Sequence, residues 1–156
     1  SIHAYSSDQP LQDYAQGDQR RSRSAAQNII PNANASAACV EQLLPRFAGR
    51  LSGCALNVPV QRGSLLDLNC VLREVANAEA VNDVIRAAAA ARPRMIAVAE
   101  DPIVSSDVIG CRQTLLFDAR GTQRAGSRMV KTLAWYETLG HACRVLDVVR
   151  TYAALA

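Results

Sequence analysis

The sequence predicts an α+β domain in which a mixed, largely antiparallel sheet is covered by helices on one face. Its 156 residues suit a single domain, because a core of this size already buries most of the apolar surface of such a chain. The composition, 49% hydrophobic and 20% charged, is typical of a globular protein. Apolar strand-like segments occur in runs interrupted by isolated helix-like segments, and that order favours the α+β class.

The first third of the chain begins with a polar segment and continues with two predicted helices. Residues 6–19 show neither helical nor strand periodicity and predict a long ordered loop. Residues 20–30 have helix-forming character, and Pro31 would end that helix. A second helix is predicted from about Ser36, which would be its N-cap, to Phe47.

Two apolar segments and the clearest helix follow. Residues 51–60 and 64–75 flank a turn and predict two strands that pair with each other. Asn77 is expected to cap a helix, AEAVNDVIRAAAAA, which ends at Pro93. The predicted apolar face of this helix comprises Ala80, Val81, Val84, Ile85 and Ala88.

The last third predicts three more strands and a closing helix. The strands are residues 95–99, 113–119 and 129–136, and the helix is residues 142–155. The apolar residues of the closing helix form a broad stripe, made of Val145, Leu146, Val148, Val149 and Tyr152.

Charge and cysteine usage exclude several classes of function. The net charge of +3 is too small an excess to indicate a nucleic acid or an acidic membrane surface as partner. No apolar run approaches the roughly 20 residues of a membrane-spanning helix. The five cysteines are scattered and form no CxxC pair, which favours reduced, buried thiols in a cytoplasmic protein over a disulfide framework or a zinc site.

Only two histidines are available for acid–base chemistry. His3 lies in SIHAYSSDQ, where hydroxyls at Ser6 and Ser7 and the carboxylate of Asp8 follow it. An imidazole can act as a general base near neutral pH, and hydroxyls can bind an anionic group. The residues alone favour an ordinary surface histidine at this place, and His141 is interpreted as structural.

Three arginines suggest an anion site. Arg20, Arg21 and Arg23 open a predicted helix, where guanidinium groups can hold a phosphate together with backbone N–H groups. A solvated basic face is the simpler interpretation of the same residues. The sequence contains no GxGxxG, Walker, HExxH or GxSxG motif, so it predicts neither a cofactor site nor a metal site, and no nucleophile is evident.

Seven segments, taken in order, resemble the catalytic half of the glyceraldehyde-3-phosphate dehydrogenase family, including its erythrose-4-phosphate branch. They are SIHAYSSDQ, DQRRSRSAAQNIIP, LNVP, LLDL, EDPIVSSD, MVKTLAWYE and RVLDVV, and they extend across almost the whole chain. The first two are specific at that spacing. The resemblance implies NAD- or NADP-dependent oxidation of a phosphorylated sugar aldehyde, with inorganic phosphate as second substrate.

The resemblance also assigns roles to residues. His3 corresponds to the family's catalytic histidine, Ser6 stands where a threonine helps to bind phosphate, and Asp8 matches a neighbouring aspartate. Arg21 matches a phosphate-site arginine, and Asn34 lies in the turn that belongs to the substrate site.

Other parts of the family's machinery are expected outside this sequence. The nucleophilic cysteine and the NAD-binding domain precede this histidine in the family. We therefore expect residues 1–156 to be the C-terminal catalytic domain, incomplete at its N-terminal side, without an intact cofactor site and inactive in isolation. Its own NAD-binding domain would be a partner, and the stripe on the closing helix predicts a dimer or a tetramer.

Three departures from the family pattern keep a second interpretation open. Asn57 stands where the family has an arginine, Asn34 and Ala35 replace a Thr-Gly pair, and residues 137–139 replace Asp-Asn-Glu. Loss of a charge-assisted contact costs on the order of 1.5–3 kcal/mol. The alternative is therefore a non-catalytic interaction or scaffold domain that keeps the fold while its substrate site has decayed.

Overall fold

The computed structural model describes residues 1–155, which divide into two compact units. The first unit is Ser1–Gln61, and the second begins at Arg62. Both units contain strands and helices, and their strands pair in both parallel and antiparallel ways. The predicted α+β class with a mixed sheet is confirmed.

Three short strands form the sheet of the first unit. They are β1 (Ile2–Ala4), β2 (Ile30–Asn32) and β3 (Ala55–Val58). Strand β3 pairs in parallel with β1 and antiparallel with β2, so it has a partner on each side. The predicted pairing of residues 51–60 with residues 64–75 is therefore wrong.

Residues 5–29, which connect β1 to β2, contain turns and bends but no helix or strand. The loop predicted for residues 6–19 is confirmed, whereas the helix predicted for residues 20–30 is wrong. The Asp18 carboxylate accepts hydrogen bonds from the backbone N–H groups of Arg20 (2.9 Å) and Arg21 (3.2 Å). Such local bonds from short polar side chains offer the backbone an alternative to the helical ladder.

The first helix, α1 (Ser36–Leu43), is shorter than predicted. Its N-cap position is occupied by Ala35 rather than Ser36, and the Asn34 side-chain oxygen accepts from the Ser36 N–H (2.8 Å). The helix ends before Pro45, because a proline disfavours the helical conformation of the residue before it. A 3-10 helix, Pro45–Phe47, completes the predicted segment.

The second unit contains four strands in the order β4-β7-β6-β5. They are β4 (Ser64–Val71), β5 (Ile96–Ala99), β6 (Leu115–Ala125) and β7 (Met129–Tyr136). Strand β7 pairs antiparallel with β4 and β6, and β5 runs parallel to β6. The strand predicted for residues 113–119 starts too early and is too short, since β6 is Leu115–Ala125.

Strand β6 continues beyond residue 119 through a register shift between Asp118 and Gln123. The buried Asp118 carboxylate accepts from the backbone N–H groups of Arg120 (3.1 Å) and Gly121 (3.0 Å). It also accepts from the indole N–H of Trp135 (3.1 Å). These bonds replace ladder hydrogen bonds at the irregularity, so the strand resumes after it.

Helix α2 (Ala78–Ala91) confirms the predicted cap but not the predicted face. The Asn77 side chain accepts from the Ala80 N–H (2.7 Å), whereas Val84 of the expected apolar face is 68% exposed. The buried residue is Asn82, whose amide donates to the Ala119 carbonyl oxygen (2.9 Å) and accepts from the Thr122 hydroxyl (2.7 Å). A polar docking contact thus orients α2 on β5 and β6.

Helix α3 (Thr138–Ala153) starts four residues before the predicted position. The Glu137 carboxylate caps it by accepting from the Leu139 N–H (2.6 Å). His141 consequently lies within the helix rather than at its entrance. The predicted apolar stripe of α3 is solvent-exposed in the described residues, with exposed fractions between 50% and 71% for Val145, Leu146, Val148, Val149 and Tyr152.

The cysteines correct one sequence-based expectation. All five are free thiols, but none of them is buried. Cys39 and Cys54 are exposed, and Cys70, Cys111 and Cys143 are half-buried. Among residues 1–155, no helix is both long enough and apolar enough to span a bilayer.

Candidate functional site

An ion pair in the first unit joins two of the residues predicted to bind substrate. Arg21 donates from Nη2 to one carboxylate oxygen of Asp8, and the Ser6 hydroxyl donates to the other. The Ser6 hydrogen bond, followed by the charge of Arg21, holds the pKa of Asp8 below its ordinary value against the opposing effect of burial. Asp8 is therefore ionised at neutral pH and balances the charge of Arg21.

Two asparagines extend this pair into the sheet. Arg21 donates from Nη1 to the Asn32 side-chain oxygen (3.4 Å), and the Asn32 amide nitrogen donates to the Asn57 side-chain oxygen. Asn57 is buried on β3, and its own amide nitrogen donates to Gln9 Oε1 (2.8 Å) and to the Ala4 carbonyl oxygen (3.3 Å). Both ends of the Asn57 amide are used, so the orientation of this side chain is fixed.

The ring of His3 is oriented by the same carbonyl group. His3 Nδ1 contacts the Ala4 carbonyl oxygen. A carbonyl oxygen only accepts, so this contact is a hydrogen bond in the tautomer that has its proton on Nδ1 and its lone pair on Nε2. The side chain is exposed, and the strand register places His3 opposite Asn57.

A continuous chain of hydrogen bonds therefore links the predicted base to the predicted anion-binding arginine. From His3 it passes through the Ala4 carbonyl oxygen, Asn57 and Asn32 to Arg21. Three strands and the loop between β1 and β2 supply these residues, since β1 carries His3, β2 carries Asn32 and β3 carries Asn57. Ser6 and Asp8 continue the chain beyond Arg21.

Gln9 is a site residue that sequence reasoning missed. It is only 5% exposed, and its Oε1 accepts from the Ser6 N–H (3.1 Å) as well as from Asn57. Its Nε2 is buried without a hydrogen-bond acceptor among the described residues. A buried donor without an acceptor is unfavourable, and a ligand oxygen would satisfy it.

Asn34 occupies a different position from the other predicted site residues. Its side-chain oxygen accepts from the backbone of Ser36 and so stabilises the start of α1. Within the described part of the chain, no hydrogen bond or ion pair joins it to Arg21 or Asp8. Its assignment to the substrate site stays a prediction.

The remaining basic residues of the predicted cluster are engaged elsewhere or exposed. Arg23 pairs with Asp13 (2.9 Å), and the Ser24 N–H, followed by Arg23, keeps the pKa of the Asp13 carboxyl below its ordinary value. Arg20 is exposed. The part of the chain that the structure describes brings together no group of three or more His, Cys, Asp or Glu side chains suited to a metal ion.

Comparison with known proteins identifies the family of the chain. The family model described as the C-terminal domain of glyceraldehyde 3-phosphate dehydrogenase matches residues 1–138, which include β1, β2, β3 and the whole hydrogen-bonded chain. The chain belongs to the glyceraldehyde-3-phosphate dehydrogenase family. The resemblance seen in the sequence motifs is thereby confirmed.

Glyceraldehyde-3-phosphate dehydrogenases of several bacteria are similar to this chain. The enzyme of Clostridium acetobutylicum is 38% identical over 162 aligned residues, which cover 100% of this chain and 48% of that protein. Those of Kitasatospora aureofaciens and Mycobacterium avium are each 38% identical, covering 99% and 96% of this chain and 47% and 44% of the relatives. The chain thus spans about half the length of the curated relatives it matches.

Proposed function

We propose that the chain is the C-terminal catalytic domain of a longer NAD- or NADP-dependent oxidoreductase, which oxidises a phosphorylated sugar aldehyde and uses inorganic phosphate. The observation that supports this most directly is the hydrogen-bonded chain from His3 to Arg21 in a member of this family. It combines a proton acceptor and a guanidinium group in one small unit. The complete protein would be a cytoplasmic enzyme, and five free thiols suit a reducing compartment.

His3 would serve as the base of the reaction. Its Nε2 lone pair can accept the proton of a thiol or of a hydroxyl group, and the Ala4 carbonyl oxygen stabilises the ring by accepting from Nδ1. The nucleophile would be a cysteine of a preceding domain, because family resemblance places it there and none of the thiols described in this chain takes part in the hydrogen-bonded chain.

Arg21 would hold the phosphate of the aldehyde, with Ser6 as a neutral donor. The guanidinium group offers several N–H donors in one plane, which matches the oxygens of a phosphate. Asp8 has the same sign of charge as a phosphate and would not bind it directly. Its role would be to orient Arg21 through the ion pair, so that part of the guanidinium group remains available.

The described residues do not by themselves fit a nicotinamide dinucleotide. The segment after Tyr136 is the first turn of α3, and the Glu137 carboxylate there is engaged as a helix cap. The cofactor accepts a hydride in enzymes of this kind, and we propose that the protein's own NAD-binding domain holds it. No step assigned to His3 or Arg21 depends on a contact between this chain and the dinucleotide.

A second candidate is an interaction or scaffold domain without activity. It is favoured by the neutral character of the Arg21 environment, where Asp8 balances the one cation and Asn57 stands in place of a family arginine. Such a site attracts a dianion weakly, because the long-range attraction depends on net charge.

Cofactor reduction by the complete protein separates these candidates. The assay supplies a phosphorylated sugar aldehyde, inorganic phosphate and NAD or NADP, and compares the native protein with His3→Gln. We expect turnover that falls by roughly 10²- to 10⁴-fold in the variant, the usual contribution of a general base. Absence of turnover in the native protein with every phosphorylated aldehyde tested, while the fold is intact, would favour the scaffold.

A control substitution at the second histidine tests whether the effect is specific. His141 is exposed within α3, in the second unit. His141→Gln should leave the rate unchanged. Equal losses in the two variants would contradict the assignment of His3 as the base.

The complete protein would also be a homo-oligomer, either a dimer or a tetramer. The exposed apolar stripe of α3 supports this proposal, because contiguous apolar surface is often covered by another chain or domain.

A further inference from the structure

A cavity of about 350 Å³ in the second unit is lined mainly by charged side chains. It lies among α3, the segment that follows α2 and the segment that precedes β6. Its charged or reactive lining residues are Arg94, Arg112, Arg144, Arg150, Asp147 and Cys143. Small-molecule sites in proteins have volumes from about 300 Å³ upward, so this cavity has room for a small ligand.

The cavity is lined by more arginines than acidic residues. Asp147 is the one carboxylate in the lining, and it is shared by three guanidinium groups. It pairs with Arg94, with Arg144 (3.1 Å) and more distantly with Arg150 (3.8 Å). One negative charge cannot balance three positive ones, so the cluster keeps an excess of positive charge.

Arg112 adds a fourth positive charge to the lining. It is exposed and makes no ion pair among residues 1–155. Four arginines and one aspartate give the lining a formal net charge of +3, since 4 − 1 = 3. The environment of Arg21 in the first unit, by contrast, is balanced by Asp8.

Arg144 supplies a donor that lacks an acceptor. Its side chain is 18% exposed, and Nη1 donates to the Arg94 carbonyl oxygen (2.6 Å). Its Nε is buried and has no hydrogen-bond partner in the described part of the chain. A buried N–H of a charged group is satisfied best by an oxygen that carries negative charge.

We propose that this cavity binds a small oxyanion of the phosphate class, either inorganic phosphate or a phosphomonoester. Several guanidinium groups around one cavity can each donate in pairs to phosphate oxygens, whereas a monovalent carboxylate would balance only part of the charge. The cavity shares no residue with the chain from His3 to Arg21. The inference therefore goes beyond the proposed catalytic function and does not depend on it.

Cys143 provides a reporter inside the cavity. Its half-buried thiol lines the cavity, while Cys39 and Cys54 are exposed thiols of the first unit. The 156-residue chain is alkylated with increasing inorganic phosphate or a sugar phosphomonoester, and modification of each cysteine is followed by mass spectrometry. We expect at least a roughly threefold slower reaction of Cys143 at saturation, with Cys39 and Cys54 unchanged, because a bound anion excludes the reagent.

Chloride at equal ionic strength is the control for screening. If chloride slows Cys143 as much as phosphate does, or if neither phosphate nor the ester slows it, the proposal is overturned. If both ligands protect Cys143, free phosphate is sufficient for binding to the cavity. If only the ester protects Cys143, the ligand is a phosphomonoester.

Matched arginine variants test whether the cavity itself binds the anion. Arg112→Gln removes an exposed lining arginine, and Arg73→Gln removes an exposed arginine elsewhere in the same unit. We expect the apparent Kd for phosphate, measured from the protection of Cys143, to rise roughly tenfold in Arg112→Gln, as for loss of a charge-assisted contact. It should be unchanged in Arg73→Gln and in Arg21→Gln.

Equal effects of Arg112→Gln and Arg73→Gln would show a diffuse effect of net charge and would overturn the proposal. Asp147→Asn adds a test of opposite sign, because it removes the carboxylate that competes with the anion. It should strengthen binding if the variant remains folded, as checked by circular dichroism.

Discussion

At the scale of single residues, the site depends on how Asp8 is held between Ser6 and Arg21. The side chain of Asp8 is 65% exposed and that of Arg21 31% exposed, so solvent screens much of their attraction. The pair therefore contributes to the position of the guanidinium group more than to the stability of the fold.

Because solvent screens this ion pair, we predict that Asp8→Asn has a small, pH-dependent effect on the stability of the fold. A carboxyl group with a lowered folded-state pKa contributes stability above its ordinary value of 3.8 and loses it as the pH falls through the folded pKa. We expect Asp8→Asn to lower the free energy of unfolding at pH 7 by less than about 1 kcal/mol. The difference should shrink as urea denaturation is repeated at pH values progressively below 3.8.

Asp101→Asn is the matched control, because Asp101 is an exposed carboxylate outside this pair. It should change the free energy of unfolding at pH 7 little, because the Asp101 side chain makes no ion pair among residues 1–155. A destabilisation by Asp8→Asn that grows as the pH is lowered would contradict the cause assigned to the pKa shift of Asp8.

The sequence predicted the histidine, the hydroxyl and the ion pair of the site but not the three amides that link them. His3, Ser6, Asp8 and Arg21 stand in specific motifs, and resemblance to a family assigns them roles. Gln9 and Asn57 lie in the matching segments SIHAYSSDQ and LNVP, but the resemblance assigns neither of them a contact in the site, and Asn32 lies outside all seven segments. The pairing of β3 with β1 and β2 brings these amides together, and pairing between distant segments cannot be read from local spacing.

At the scale of secondary structure elements, a helix cap was predictable where the capping residue lies directly before a strongly helical segment. Asn77 lies directly before a strongly helical segment, and its side chain caps α2 as expected. Residues 20–30 have comparable helical character, but Asp18 competes for their backbone N–H groups. Helix propensity is a weak prior when a side chain offers such an alternative.

The cap of α2 leads to a prediction about stability. Asn77→Ala removes the acceptor of the Ala80 N–H and should lower the free energy of unfolding by about 1 kcal/mol. Urea denaturation measures the change. Asn77→Ser, which keeps a capping oxygen, should retain most of the stability, and an equal loss in both variants would contradict the role of the cap.

For Gly140 we predict that replacement by alanine destabilises the protein, although the residue lies within a helix. Replacement of a glycine within a helix by alanine ordinarily stabilises it by roughly 1 kcal/mol. A Cβ atom at Gly140, however, would overlap the Gln113 carbonyl oxygen, and that backbone atom cannot move without shifting the segment that leads into β6. We expect Gly140→Ala to lower the free energy of unfolding by about 1–3 kcal/mol, the range for overpacked sites.

Gly53→Ala serves as the control for Gly140→Ala. No atom lies within 4 Å of a Cβ built at Gly53, so this change should be close to neutral. A stabilised Gly140→Ala protein in thermal denaturation would show that α3 does not approach Gln113 so closely.

At the scale of the whole molecule, the sequence predicted the fold class and the apolar stripe of α3, but not which helix residues would be covered. Periodicity identifies an apolar face without identifying what packs on it. In α2 the buried position is Asn82, and in α3 the apolar residues are exposed. Burial depends on the arrangement of elements that are distant in sequence. The periodicity of a single helix therefore predicts neither the burial of Asn82 nor the exposure of the α3 stripe.

The exposed stripe predicts that the 156-residue chain associates with itself at high concentration. Light scattering should give the mass of a dimer or a tetramer, because association would remove the apolar side chains of α3 from water. Replacement of Val149 and Tyr152 by lysine should shift the chain toward the monomer. A native chain that stays monomeric at high concentration would contradict this expectation.

We propose that Arg21, linked to His3 through Asn32 and Asn57, recognises the phosphate of an aldehyde substrate. The most direct test is the ratio of kcat/KM for a phosphorylated aldehyde to that for its unphosphorylated counterpart, measured for the complete protein and for Arg21→Gln. We predict a preference for the phosphorylated aldehyde that falls at least roughly tenfold in the variant, as expected for loss of a charge-assisted contact. A ratio that is the same in both proteins would contradict the role of Arg21 in phosphate recognition.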